Sequence, residues 1–198
     1  MPKKTTILIV ILALITGILI FLAVRSDQTQ QIMTNLNPKP SPTVEVVKPY
    51  ATLSFLPEKL DVSLVSPVQS IDVVIDTGDK PVAGAQVELS YDPKLFTNVS
   101  ITQPKQSPFF GPNPTVLINS VDATQGRISY AVGISPDGSE KTGKGSIMTL
   151  NFTANKFAGV TTAQIAFLPK SAVTTLSTSG SILKTSIPLQ VILANVTQ

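Results

Sequence analysis

The chain has 198 residues and contains neither cysteine nor histidine, which excludes disulfides, thiolate catalysis, thiolate or imidazole metal ligands and a histidine general base. Its formal net charge of +3 is accounted for by Lys3, Lys4 and Arg25. The remainder is electrically balanced and lacks the basic stripe typical of proteins that bind nucleic acid, so no nucleic-acid partner is expected.

The first predicted element is an almost unbroken apolar run from Ile7 to Val24, preceded by Lys3 and Lys4. At about 1.5 Å per residue, a helix of this length nearly crosses a hydrocarbon core of roughly 30 Å. The lysines predict a cytoplasmic N-terminus and an extracellular remainder. We therefore expect residues 1–25 to be a single-pass anchor in the cell membrane. A cleaved signal peptide is the alternative, although no small-x-small cleavage site follows the run.

A polar and proline-rich stretch follows over residues 26–50 and includes the sequence NPKPSP at Asn37 to Pro42. This composition predicts a disordered to polyproline-like linker that is semi-rigid where the prolines cluster. Its expected role is to hold the rest of the chain away from the membrane, and a plain spacer is the alternative.

From Ala51 onward the pattern is all-β, because apolar residues recur at every second position between turn residues and no helical period appears. The predicted strand segments are Thr52–Leu56, Leu60–Leu64, Ser70–Thr77, Val82–Asp92, Leu95–Thr102, Thr115–Val121, Arg127–Ile134, Ser146–Ala154, Ala163–Phe167, Ala172–Leu176 and Leu189–Leu193. The sequence of this region contains no internal repeat long enough to indicate a second domain. Residues 51–198 are therefore predicted to form one domain of two packed sheets.

The clearest alternation is in residues 82–92, which read VAGAQVELSYD. One parity is predicted to face the core and comprises Ala85, Val87, Leu89 and Tyr91. The other parity faces outward and comprises Gly84, Gln86, Glu88 and Ser90. The Asp92-Pro93 step ends the strand, since proline has no N–H to donate. The same parity argument predicts that Tyr130, Leu150 and Phe152 are buried in later strands.

Three motifs resemble those of one family. Gly84-Ala85-Gln86, Leu89 and Tyr91-Asp92-Pro93-Lys94-Leu95 resemble the signature strand of the cohesin domain. The sequence GRISYAVG at 126–133 resembles its central strand, and GSIMTLNFTA at 145–154 looks like its G-x-[IL]-x-x-[LI]-x-F-x-[AV] strand. The resemblance covers Ala51 to Ala194. It implies an all-β fold, a nine-stranded jelly-roll β-sandwich, that docks a dockerin-type protein partner on one sheet face.

The resemblance also implies which residues bind that partner. They are the outward residues of the two best motifs, namely Gln86, Glu88, Ser90, Ser129 and Ala131. Small outward side chains would let a partner helix approach closely, and the carboxylate and amide could supply hydrogen bonds. Gly84 and Gln86 stand where well-studied dockerin binders often have Asn and Asp. The alternative function is a cell-surface carbohydrate-binding module linked to polysaccharide degradation, which the absence of tryptophan disfavours.

No catalytic residue, metal or cofactor is predicted. Asp72, Asp76, Asp79 and Asp92 are close in sequence, but no D-x-D-x-D-G loop is present, so a solvated strand face is favoured over a calcium site. Glu45, Glu58, Glu88 and Glu140 are scattered and do not form the carboxylate pair that a glycosidase needs.

The aromatic residues do not indicate a sugar-stacking platform. Tyr91 and Tyr130 are expected in the core, which leaves Tyr50 in the linker region. Phe109 and Phe110 lie in a loop, where they are predicted to plug the end of the sandwich, with a partner contact patch as the alternative.

Overall fold

The computed structural model describes residues 47–63, 66–155 and 160–194, which form an all-β sandwich without a helix. In chain order the strands are β1 (Ala51–Leu56), β2 (Lys59–Ser63), β3 (Val68–Asp76), β4 (Gly84–Ser90), β5 (Phe96–Thr102), β6 (Thr115–Asp122), β7 (Arg127–Gly133), β8 (Lys144–Ala154), β9 (Val160–Phe167), β10 (Ala172–Thr174), β11 (Leu183–Ser186) and β12 (Leu189–Ala194). In this described part no helix is long and apolar enough to cross a membrane. The predicted anchor and most of the predicted linker lie outside the described residues.

The strands form two sheets. Sheet one has five strands in the order β11-β1-β3-β8-β5, and sheet two has the order β2-β12-β9-β4-β7-β6, with β10 paired to β4 beside β9. The pairs β1–β11 and β2–β12 are parallel, whereas the other ladders are antiparallel. In each sheet, therefore, one of the first two strands lies beside one of the last two, β1 beside β11 in sheet one and β2 beside β12 in sheet two.

The strand count of nine that the resemblance implies is not confirmed, since the described residues form twelve strands, and prolines lie in several of the gaps between consecutive strands. Pro57 separates β1 from β2, Pro169 lies between β9 and β10, and Pro188 separates β11 from β12. Proline cannot donate to a ladder, so each strand must break there. At two of these breaks the chain also changes sheets, since β1 and β11 belong to sheet one and β2 and β12 to sheet two.

All eleven predicted strand segments overlap observed strands. β11 was not predicted, because its four residues Leu-Lys-Thr-Ser are too few to show a periodic pattern. The predicted alternation of β4 is confirmed, since its three core-facing residues and Tyr91, which follows the strand, are buried and its outward residues are half-buried.

The inward side chains of the two sheets form one hydrophobic core. Tyr130, Leu150 and Phe152 are among its most deeply buried members, as predicted. The rings of Phe96 and Phe152 meet edge to face with centroids 5.0 Å apart, an arrangement that adds to the stabilisation from burial itself. Because the described chain has no cross-link, packing of this kind holds the sheets together.

The loop after β5 closes one end of the sandwich. Phe109 and Phe110 are buried, and their rings pack edge to face 4.9 Å apart. The backbone N–H of Phe109 donates to the carbonyl of Ser146 at 2.8 Å, and that of Ser146 donates to the carbonyl of Ser107 at 2.9 Å. The loop thus extends the edge of sheet one beyond β5. The predicted plug is confirmed, and the alternative of an exposed contact patch at these two rings is wrong.

Tyr50 packs on the sandwich although the sequence analysis placed it in the linker region. Its backbone N–H donates to the carbonyl of Ile182 at 2.9 Å, and its hydroxyl donates to the carbonyl of Pro81. The ammonium of Lys80 lies 5.0 Å from the centre of its ring. The ordered domain therefore includes the residue that immediately precedes β1.

The hydroxyl of Tyr130 has no hydrogen-bond partner among the described residues, although the side chain is 1% exposed. Burial disfavours the charged phenolate and raises the pKa of Tyr130 above its ordinary value. A buried donor without a partner loses its hydrogen bonds to water and gains none in return. We therefore expect this hydroxyl to lower the stability of the core.

The Phe152→Ala variant tests the packing of the core. We expect its free energy of unfolding to fall by about 3–5 kcal/mol, because a large buried side chain is replaced by a cavity. Chemical denaturation followed by circular dichroism measures the change. Ser100→Ala, at an exposed position of the neighbouring β5, is the control and should change stability by less than about 0.5 kcal/mol. Equal stabilities of the two variants would contradict the assignment of Phe152 to the core.

The Tyr130→Phe variant tests the unpartnered hydroxyl. We expect the free energy of unfolding to rise by about 1 kcal/mol, since the substitution removes a desolvated donor and keeps the ring. The same denaturation measurement applies, with Tyr91→Phe as the matched control at a less deeply buried tyrosine of β4's core-facing row. A loss of more than about 1 kcal/mol would show that the hydroxyl has a partner such as a buried water.

Candidate functional site

The five residues assigned to partner binding come together on the outer face of sheet two. β4 and β7 are neighbours, and their register places Gln86 opposite Ala131 and Glu88 opposite Ser129. Ser90 is the next outward residue along β4. We call this surface, which these five residues define, the β4–β7 face. Ala131 is 8% exposed and therefore forms part of its floor, whereas the other four side chains are half-buried.

The carboxylate of Glu88 is held at the centre of this face by two neutral side chains. The hydroxyl of Ser129 donates to its Oε2 at 2.6 Å, and the side-chain amide of Gln86 donates to its Oε1 at 3.0 Å. Hydrogen bonds to an ionised acceptor are stronger than neutral ones. The three side chains are therefore fixed relative to one another before any partner arrives, and the charge of Glu88 is partly satisfied within the protein.

A serine completes the other side of β4. β4 pairs with β9 through Leu89 and Ser90 and with β10 through Gly84, Ala85 and Gln86, which leaves Val87 and Glu88 outside both ladders. The hydroxyl of Ser171 accepts from the backbone N–H of Glu88 and donates to its carbonyl, both at 3.1 Å, and the N–H of Leu168 donates to the same carbonyl at 2.7 Å. The strand that carries the site therefore remains extended where its neighbour is interrupted.

A shallow groove of about 340 Å³ lies at one end of the β4–β7 face. Small residues line its floor, and these are Gly84, Ala131, Gly133 and Ala172. Gly133 lets its own backbone lie close to that of Ala83, because a Cβ at position 133 would lie 2.9 Å from the carbonyl oxygen of Ala83. The groove is bordered by Leu117, next to β7, and by Leu176, beyond β10.

Both bordering leucines point into solvent, with Leu117 75% and Leu176 73% exposed. Leu117 occupies an irregularity in the β6–β7 ladder, between the paired residues Val116 and Ile118. The backbone at Leu176 is fixed by Glu140. Its carboxylate accepts hydrogen bonds from the backbone N–H of Leu176 at 2.7 Å and from the hydroxyl of Thr175. Exposed apolar side chains around a concave floor are typical of protein-binding sites.

The sequence analysis did not assign Leu117 or Leu176 to the site, although weak signals were present. Leu176 shares the outward parity of Ala172 and Thr174 in a predicted strand. Leu117 and Ile118 are consecutive apolar residues on what proves to be an edge strand, where only one of them could face the core. The bulge that directs both toward solvent depends on pairing with β7 and could not be derived from the local pattern.

Two of the four aspartates weighed as a calcium site, Asp76 and Asp92, are local hydrogen-bond acceptors. Asp76 accepts from the N–H of Gly78 at 3.1 Å and Asp92 from the N–H of Lys94 at 2.8 Å, which stabilises the two turns. Within the described ranges no group of three or more acidic residues could hold a metal ion.

The family model for the cohesin domain matches residues 69–187. No curated protein matches the chain at a significant level.

Several solved structures share the fold. One is the type I cohesin–dockerin complex Coh-OlpC-Doc435 from Clostridium thermocellum, with 12% identity, a TM-score of 0.60 and coverage of 77% of this chain and 98% of that one. Another is CaCohA2 from Clostridium acetobutylicum, with 17% identity, a TM-score of 0.55 and coverage of 75% and 94%. The third ScaB cohesin of R. flavefaciens, in complex with a group 1 dockerin, has 15% identity, a TM-score of 0.54 and coverage of 76% and 99%. Since the family model spans more than half of the sequence, the chain belongs to the cohesin domain family.

Proposed function

We propose that this chain is a non-catalytic docking module that binds a dockerin-type protein partner through the β4–β7 face. The observation that carries the proposal is the groove bordered by Leu117 and Leu176 beside the hydrogen-bonded group around Glu88. Apolar residues flanked by fixed polar groups are the arrangement expected at the centre of a protein interface. Several of the structures with the same fold are complexes with dockerins, which supports the choice of partner.

The chemistry of the face indicates how the partner is recognised. Of the five residues that define it, only Glu88 is charged, and its oxygens already accept two hydrogen bonds. A partner would therefore place an apolar side chain in the groove and a hydrogen-bond donor near Glu88. Because little net charge is available for long-range attraction, the affinity should depend weakly on ionic strength.

The Leu117→Asp, Leu176→Asp double variant tests the docking face. We expect its affinity for a dockerin module to fall about 100-fold, because each substitution replaces an apolar contact at the border of the groove with a charge that must be desolvated. Biolayer interferometry with the purified dockerin modules of the same organism measures the affinity.

The matched control is Leu56→Asp with Val68→Asp, two exposed apolar residues on the outer face of sheet one. Both double variants should retain the wild-type melting temperature, since exposed substitutions change stability by less than about 0.5 kcal/mol each. Unchanged binding by the variant at 117 and 176, or a wild-type chain that binds no dockerin, would overturn the proposal.

We further propose that residues 7–24 anchor the module in the cell membrane with the domain outside the cell. The support is the length of the apolar run and the position of Lys3 and Lys4 before it. Residues 26–46 would then act as the spacer between the lipid surface and the sandwich. A tethered module of this kind would retain its partner at the cell surface.

Protease treatment of intact cells tests this topology. We expect the protease to remove the domain at 51–198, because the lysines retain the N-terminus in the cytoplasm. Immunoblotting against a C-terminal tag measures the loss, and a cytoplasmic marker protein that stays intact serves as the control. A protected domain would reverse the orientation, and a mature N-terminus after residue 24 would replace the anchor with a cleaved signal peptide.

A further inference from the structure

The outer face of sheet one carries a second depression, of about 600 Å³, on the side of the sandwich opposite the β4–β7 face. A row of side chains in register across four strands forms its floor: Leu56 pairs with Asp72, Asp72 with Thr149, and Thr149 with Thr102. With neighbouring strands about 4.8 Å apart, this row is about 14 Å long. The volume is within the range of roughly 300–1,000 Å³ that is usual for sites of small ligands.

A second row and a loop complete this depression, which we call the sheet-one groove. Ser70 and Asn151, which are also paired, form the second row. The exposed side chains of Gln103, Lys105 and Gln106, in the loop after β5, form one wall. Leu56, which ends β1 and is 61% exposed, lies at the side of the groove opposite this loop. The reason is that β3 and β8 separate β1 from β5.

Hydrogen bonds within the floor hold its polar groups in place. The carboxylate of Asp72 accepts from the hydroxyls of Thr149 at 2.6 Å and Ser146 at 2.9 Å. The side-chain amide of Asn151 donates to the hydroxyl of Thr102 at 3.2 Å. An arrangement fixed in this way loses little conformational entropy when a ligand binds.

The side chains that line the sheet-one groove indicate which class of ligand it can bind. It combines three side-chain amides, several hydroxyls and one apolar side chain, and its single carboxylate, Asp72, is balanced by Lys105. A polyanion such as a nucleic acid would meet the Asp72 carboxylate in the floor. An apolar peptide segment would bury the amides and hydroxyls without partners, which is costly. Amides carry both donors and acceptors, and the adjacent hydroxyls of a sugar ring can pair with both.

We propose that the sheet-one groove binds a neutral oligosaccharide chain. The amides of Gln103, Gln106 and Asn151 hydrogen-bond to its hydroxyls, and Leu56 packs against the apolar face of a sugar ring. The site does not depend on the proposed docking function, since the two surfaces lie on opposite sheets. The protein would thereby hold a polysaccharide on one sheet and a protein partner on the other.

Isothermal titration calorimetry of the full chain tests this site, with the chain in a detergent that has no sugar headgroup. The probes are cellohexaose and chitohexaose, which distinguish a plain glucan from an amino-sugar chain, and a hexagalacturonate as the charged comparison. We expect millimolar-range binding of at least one neutral probe and weaker binding of the charged one. Gln103→Ala with Gln106→Ala should lower the affinity about tenfold, because two hydrogen bonds are lost.

The matched control is Gln164→Ala with Gln190→Ala, two exposed glutamines on the outer face of sheet two, which should leave the affinity unchanged. Gln103 and Gln106 lie in an exposed loop, and an unchanged melting temperature will show that their substitution leaves the fold intact. The proposal is overturned if neither neutral probe binds, if the charged probe binds more tightly than both, or if the two double variants lose affinity equally.

Discussion

The alternation along β4 is the constraint on which the rest of the molecule depends. Its inward residues are buried in the core, and its outward residues define the β4–β7 face. β4 also lies between β7 on one side and β9 and β10 on the other. A shift of one residue in its register would expose the core side chains and bury Glu88. Stability and the shape of the candidate interface are therefore set by the same strand.

The two outer faces of the sandwich are chemically different although they are built on the same plan. The face of sheet two has exposed leucines around a floor of glycine and alanine. The face of sheet one has hydroxyls, amides and one carboxylate in registered rows. In both cases the backbone ladders place the side chains of the floor, whereas loop residues form part of the border, namely Leu176 beyond β10 and Gln103, Lys105 and Gln106 after β5. Such a fold can carry two binding functions that do not compete for the same surface.

The parts of this structure that the sequence could predict are those set by local periodicity. The burial of Leu89, Tyr130 and Phe152 follows from a period of two. The same period gives the outward parity of the five site residues, whereas their shared surface was expected only from the cohesin resemblance, because it requires β4 and β7 to be neighbours. The role of Ser171 at the interruption beside β4 and the direction of Leu117 were not predictable, because each depends on a strand distant in sequence. The cohesin resemblance could be read from three motifs because strand alternation and turn residues are local features.

The parallel pairing of the first and last strands has a consequence for the order in which the protein can fold. Among the described residues β2 pairs with one strand, β12, which ends at Ala194 and is synthesised more than 120 residues later. β1 likewise lacks β11 until the chain has reached Leu183. Contacts of such long range form late. A chain that is released from its N-terminus must therefore have emerged as far as β11 before sheet one is complete, and as far as β12 before sheet two is complete.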